Sequence, residues 1–152
     1  MGNDRFVYVT YVRTTPEKLW AALIEPEFTR QYWFGFTQKS EWKPDSSWQL
    51  IAADGTLTDS GSVLEIDPPR RLVLSWRNEF KPELKADGYS RATFELEAQK
   101  DAVKLTVTHE IGKEGSKLIQ AVSGGWPMVL SGLKSLLETG QSLGEIQRSK
   151  EK

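Results

Sequence analysis

The chain has 152 residues, with 20 Lys and Arg against 21 Asp and Glu and a net charge of −1, so neither a nucleic-acid footprint nor attraction to an anionic membrane is built in. It has no cysteine and a single histidine, His109, which excludes disulfides, thiolate chemistry and a multi-histidine metal site. Six Trp, six Phe and four Tyr are many aromatics for one small domain, and aromatics both fill cores and line ligand pockets.

The first five residues, Met1 to Arg5, carry no apolar h-region, and no run of about 18 apolar residues follows anywhere; a cytoplasmic protein with no membrane contact is expected. Phe6 to Arg13 reads as a strand whose apolar content suits cover on both faces. Thr15-Pro16-Glu17 then opens a helix: Thr suits the N-cap, Pro the first helical position, and Glu the positive helix end. Leu19, Trp20, Leu23 and Ile24 share one face, and Pro26 ends the helix. Glu27 to Tyr32 adds one further helical turn, followed by an aromatic loop, Tyr32-Trp33-Phe34-Gly35-Phe36.

Strands follow. A weak one, Lys39 to Trp42, is stopped by Pro44-Asp45-Ser46. Ser47 to Ala53 alternates, with Trp48, Leu50 and Ala52 on one face, and Asp54-Gly55 is a turn signal. Ser60 to Asp67 is closed by Pro68-Pro69. Arg71 to Phe80 keeps Leu72, Leu74 and Trp76 in phase. Lys81 to Gly88 reads as a polar loop, and Tyr89 to Gln99 puts Ala92, Phe94 and Leu96 on one face. Val103 to His109 alternates cleanly, so His109 shares a face with Val103, Leu105 and Val107.

Ser116 to Thr139 is a long helical tract, with Val122, Trp126, Val129, Leu133 and Leu137 at helical spacing and Gly140 at the C-cap. Residues 141–152 form a polar tail on a single domain spanning 1–140. Inside the tract stand Gly124, Gly125 and Pro127. Gly costs about 1 kcal/mol and Pro about 3 relative to Ala in a helix interior. Three explanations stay open. A neighbouring group approaches Gly125 closely, or Pro127 bends the helix around a space that is not filled, so that Gly124, Gly125 and Trp126 shape one end of a cavity, or the two glycines break the tract and Pro127 starts a second helix.

The element order is one strand, two short helices, about six strands in hairpin sequence and one long helix. Short connections favour antiparallel pairing, and a sheet of about seven strands curls and needs its concave face covered. The final helix is the only element long enough to cover it. An α+β fold with a cavity between helix and sheet is expected.

Three stretches in this order resemble the helix-grip superfamily of START, Bet v-type and polyketide-cyclase domains (SRPBCC). Within it they resemble the activator-of-90-kDa-heat-shock-protein-ATPase-like group. They are Thr15 to Pro26 with Tyr32-Trp33; Gly61 to Leu72 running to Ser75-Trp76; and Leu105 to Glu110 with Gly125 to Leu130 and Leu133. One departure is Pro44-Asp45-Ser46-Ser47, where the family commonly has a Gly-Gly turn; Asp and Ser can build such a turn through side-chain bonds to the backbone. The resemblance implies a curved antiparallel sheet gripping the last helix, and a binder of small hydrophobic or amphipathic molecules, with a stress-related setting and no cofactor. Some relatives are cyclases or hydrolases and eukaryotic ones are co-chaperones, so function rests on the site.

The candidate ligand contacts are Trp33, Phe36, Trp48, Leu50, Trp76, Phe94, His109, Val122, Trp126, Val129 and Leu130. Each has a packing reading beside the binding one. Trp33, Phe34 and Phe36 either gate a pocket mouth or plug the open end of the sheet. His109 is the weak catalytic candidate: it is an acid/base if a polar partner such as Glu65, Glu79 or an Arg reaches it, and a hydrogen-bonded core residue otherwise. Arg77 and Arg91 have the parity of solvent-facing positions, as do Glu95 and Glu97. No phosphate-cradling glycine loop, nucleophile elbow or carboxylate set with metal-loop spacing is present. The leading reading is a non-enzymatic binder of a small hydrophobic molecule. A cyclase-, lyase- or hydrolase-type enzyme using His109, and a co-chaperone-like module that engages another protein, stand beside it.

Overall fold

The computed structural model describes residues 4–143. In chain order these form β1 (Asp4–Val12), α1 (Pro16–Ile24), α2 (Pro26–Tyr32), β2 (Thr37–Ser40), β3 (Ser47–Ile51), β4 (Leu57–Asp67), β5 (Arg71–Asn78), α3 (Pro82–Lys85), β6 (Ser90–Ala98), β7 (Val103–Ile111) and α4 (Lys117–Thr139). The strands make a 7-stranded sheet in the order β1-β7-β6-β5-β4-β3-β2, with every neighbouring pair antiparallel. This is the expected α+β helix-grip architecture. Most of the expected polar tail, 144–152, lies outside the described residues.

Period-two alternation decides what each strand buries. On β7, Val103, Leu105, Val107, His109 and Ile111 all turn inward. On β5 and β6, Leu72, Leu74, Trp76, Ala92, Phe94 and Leu96 do the same. Edge strand β1 corrects an expectation. Its inner residues pack, but Val7, Val9 and Tyr11 on the outer face are 48%, 44% and 52% exposed, so only one face is covered.

Register shifts between Leu50 and Ile51 and between Val63 and Glu65 bend the sheet, as bulges do. Gly61 sits beside the second bend. A Cβ there would lie 1.8 Å from the Ser75 carbonyl oxygen, so β4 and β5 come together only because this residue has no side chain. The Pro44-to-Ser47 turn works without glycine pairs. Asp45 takes the left-handed backbone (φ 68°), and the Ser46 hydroxyl donates to the Lys43 carbonyl at 2.6 Å.

Helices α1 and α2 close one end of the sheet. Thr15 Oγ1 caps α1 by accepting from the Lys18 amide at 3.3 Å. The carbonyls left over at its C-terminal end, which any helix must satisfy, are taken by buried side chains. Tyr32 donates its hydroxyl to Ala22 O at 2.8 Å, and Gln38 Nε2 donates to Leu23 O. Burial pushes the Tyr32 phenol well above its ordinary value.

Helix α4 is the clamp. Trp126, Val129, Leu130 and Leu133 join the core formed by the inner faces of the strands and by α1 and α2. Its N-terminus is held by Ser116, whose Oγ accepts from the Ile119 amide at 3.0 Å. Asp87 Oδ2 also accepts from the Leu118 amide at 3.0 Å and from the Ser116 hydroxyl at 2.8 Å. Burial opposes the Asp87 charge, but these donors and Lys113 at 3.0 Å outweigh it and hold the carboxyl near a pKa of about 2. At the other end Gly140 ends the helix in the left-handed conformation, and Glu138 accepts from the Arg13 amide at 2.8 Å.

Two of the three explanations of the glycine pair fail. Helix α4 runs unbroken from Lys117 to Thr139 with Pro127 inside it, so Gly124-Gly125 do not divide it. A Cβ built on either glycine meets nothing within 4 Å, so no neighbour approaches closely. One further difference is local: the loop expected at Lys81 to Gly88 contains the short helix α3, started by Pro82 and burying Leu84.

Candidate functional site

Alternation on β7 points His109 inward, and the helical period of α4 sets Trp126 over it. Trp126 Nε1 donates to His109 Nδ1 at 3.1 Å, and His109 Nε2 meets Ser90 Oγ at 2.7 Å. The Ser90 hydroxyl donates its own proton to Trp76 O at 2.8 Å. Nδ1 is therefore an acceptor, Nε2 carries the proton, and the ring is neutral. Burial pushes the His109 pKa down to about 3.

That arrangement corrects the acid/base expectation for His109. A serine–histidine pair acts as a nucleophile when the ring nitrogen facing the hydroxyl is free to accept and a carboxylate holds the other nitrogen. Here Nε2 is the donor, Nδ1 faces an indole N–H, and neither Glu65 nor Glu79 is a partner. The ring is 0% exposed, so as a ligand contact it is also out of reach.

Around His109 lies a tryptophan cluster. Trp76 is the hub, 4.3 Å from Trp48, 5.5 Å from Trp126 and 6.3 Å from Trp33 between ring centroids. Phe94 sets its edge against Trp126 at 5.6 Å. The buried indole N–H groups are matched as their burial requires: Trp48 donates to Gln38 Oε1 at 2.9 Å and Trp76 to Asp59 Oδ2 at 2.7 Å. These rings fill the space between helix and sheet. The enclosed void left there, lined by Trp33, Phe94, Trp126, Val129 and Leu130 among others, is about 10 Å³, the room of one water at most. Midway along the helix the space between helix and sheet is thus filled by packed tryptophan. Trp48, Leu50 and Trp76 are core residues that line neither this void nor the open cleft described next. Phe36 is half-buried against the core, and Trp33 is 9% exposed and plugs the sheet end.

Open volume lies beside the upper half of α4. A cleft of about 180 Å³ is lined by Val122, Gly125, Trp126 and Val129 of α4, by Leu118 and Ala121 above them, by Trp33 and Leu84, and by Asp59 and Asn78 at the strand ends. Of the residues singled out from sequence, Trp33, Val122, Trp126 and Val129 meet here. Gly125 contributes by what it lacks, since a side chain at that position would project into unfilled space.

Asp59 escaped the sequence reading. It is 7% exposed and stands in phase with buried Val63 on β4, which was the available signal. Burial raises its pKa despite hydrogen bonds from Trp76 and its neighbours. Nearby Glu79 behaves oppositely. The Arg77 hydrogen bond pulls it to about 2 against the cost of its own burial, with Ser60 and Lys85 adding to the effect. Arg77 at 2.7 Å and Lys85 at 3.1 Å are both committed to Glu79. Arg91 is engaged on the outer face with Glu65 at 3.1 Å. Among the described residues no His, Cys, Asp and Glu group could hold a metal ion, and no helix is long and apolar enough to cross a membrane.

The fold can be set beside known proteins. A Cytophaga hutchinsonii protein of known solution structure is 28% identical, with 92% of this chain and 98% of that one covered and a TM-score of 0.73. CalU16 from Micromonospora echinospora shares the fold at 22% identity, 97% and 82% coverage and a TM-score of 0.72. The Aha1 dimer from Colwellia psychrerythraea shares it at 17% identity, 91% and 99% coverage and a TM-score of 0.71. No curated protein matches the chain. The model of the family described as activator of Hsp90 ATPase homolog 1-like protein matches residues 13–138, which hold β2 to β7, the tryptophan cluster and all but the last residue of α4, and the chain belongs to that family.

Proposed function

We propose that this protein binds a small hydrophobic or amphipathic molecule, non-covalently, in the cleft beside the upper half of α4. The observation that carries this reading is an unfilled, mainly apolar space of about 180 Å³ walled by Trp33 and Trp126, at the one place where a core helix holds glycines that nothing else requires. Local helix propensity is sacrificed there and open volume is what results. An apolar cleft with a few polar groups is the general form of a small-molecule site. A stress-related setting is part of the proposal and draws on the family's description alone. The test is titration with 2-phenylethanol, read by tryptophan fluorescence, because two indoles line the cleft. Saturable quenching that disappears in Gly125→Leu, with unfolding still cooperative, is expected. Equal binding by Gly125→Leu overturns the reading, as does absence of binding up to millimolar concentration by both 2-phenylethanol and its amine counterpart, phenethylamine.

A second reading has its own observation. The exposed row Val7, Val9 and Tyr11 on edge strand β1 is an apolar surface suited to another protein, as a co-chaperone-like role requires. Val9→Lys would weaken such a contact and leave the cleft untouched. The enzyme reading has no comparable support, since His109 was its only protagonist.

A further inference from the structure

The cleft is apolar except at one wall, where the Asp59 carboxylate and the Asn78 amide stand. Asp59 lies on the inward face of β4, opposite Asn78 of β5. Its Oδ2 accepts from Trp76 Nε1 at 2.7 Å and from Asn78 Nδ2 at 3.4 Å. Thr58 also hydrogen-bonds the carboxylate, and all three partners are neutral. Among the described residues Asp59 has no ion pair, because the adjacent cations Arg77 and Lys85 are held by Glu79. Glu79 itself adds negative potential to that corner. Every other residue lining the cleft is neutral.

A buried carboxylate that is hydrogen-bonded but has no counter-charge is disfavoured relative to water, and a cation reaching it recovers part of that cost. Indole rings add to the attraction, since a cation over a tryptophan face is favoured, the more so when desolvated. Trp33 and Trp126 are in the same wall. The open volume of about 180 Å³ suits one ring with a short arm, since a 150 Å³ apolar cavity takes one benzene ring.

We propose that the cleft is selective for a protonated amine carried on a single small apolar ring, with the ammonium group against Asp59 and the ring between Trp33, Val122 and Trp126. This rests on the cleft being a ligand site, as proposed above, and names the ligand class that site prefers.

The test compares three probes of similar shape by calorimetry at neutral pH: phenethylamine, 2-phenylethanol and 3-phenylpropanoate, which are cationic, neutral and anionic. Phenethylamine is expected to bind at least about tenfold more tightly than the alcohol, and the carboxylate most weakly. Asp59→Asn retains an oxygen to accept from Trp76 and removes only the charge. It is expected to bring the amine down to the level of the alcohol and leave the alcohol unchanged. If the alcohol binds as tightly as the amine, or Asp59→Asn keeps the preference, Asp59 only holds Trp76 in place and the inference falls while the cleft survives. If none of the three binds, the cleft reading falls and takes this one with it.

Discussion

Replacing the two glycines of α4 by alanine separates open space from hidden contact. Both lie in the interior of a continuous helix, where Gly→Ala is worth about 0.8–1 kcal/mol. A methyl at either position meets nothing within 4 Å, so no steric cost offsets the gain. The double variant Gly124→Ala/Gly125→Ala should therefore be more stable by about 2 kcal/mol, a rise in Tm of roughly 4–8 °C for a domain of this size. Urea unfolding should show a higher midpoint with unchanged slope. The two positions differ in function. Gly124 is exposed, whereas Gly125 lines the cleft. Gly125→Ala alone should weaken binding of 2-phenylethanol, and Gly124→Ala should not. Destabilisation by either single variant beyond about 0.5 kcal/mol would refute the reasoning, because surface-like helix substitutions without a hidden contact do not reach that.

Gly61→Ala should behave in the opposite way: its Cβ would fall 1.8 Å from the Ser75 carbonyl oxygen, so a loss of about 3 kcal/mol or failure to fold is expected in denaturant titration. His109→Leu strands the Trp126 N–H and removes the bond Ser90 Oγ accepts, and should cost about 2–4 kcal/mol, measured by urea unfolding. In the wild type the folded imidazole has its pKa lowered from 6.5 to about 3. The unfolded chain alone binds that proton between these values, so His109 makes stability fall as pH drops from 6.5 toward about 3; NMR titration should show a neutral ring at pH 5. Asp87→Ala removes the carboxylate that accepts from the Leu118 amide and the Ser116 hydroxyl at the start of α4 and should cost about 1–3 kcal/mol at pH 7. With the Asp87 carboxyl lowered from 3.8 to about 2, that contribution is present above pH 4 and lost as pH falls toward 2, a loss the variant should not show in acid unfolding.

The periods of the sequence carried the fold. Alternation on β7 placed His109 inward, and helical spacing placed Val122, Trp126 and Val129 together. What could not be read was how elements distant in sequence meet. Ser90 and Trp126, the two side chains that fix the His109 tautomer, reach it from β6 and α4, and no local pattern links them. The glycine pair shows a different limit. A propensity cost says that something offsets it; a near neighbour, a helix break and an unfilled space were all candidates, and local sequence does not choose among them, whereas the folded chain has open volume there. Asp59 was masked by polar Thr58 and Ser60 on either side, which blurred the alternation that puts it in phase with Val63. Helix α3 was missed because four residues are too few to show a period.

The account's central claim is that the cleft beside α4 receives a small molecule. Two-dimensional amide and indole NMR spectra recorded while 2-phenylethanol is added test it most directly. Saturable shifts confined to Val122, Gly125, Val129, the Trp33 and Trp126 indoles and the strand ends at Asp59 and Asn78 are predicted. Shifts centred instead on Val7, Val9 and Tyr11, or none that saturate, would contradict it.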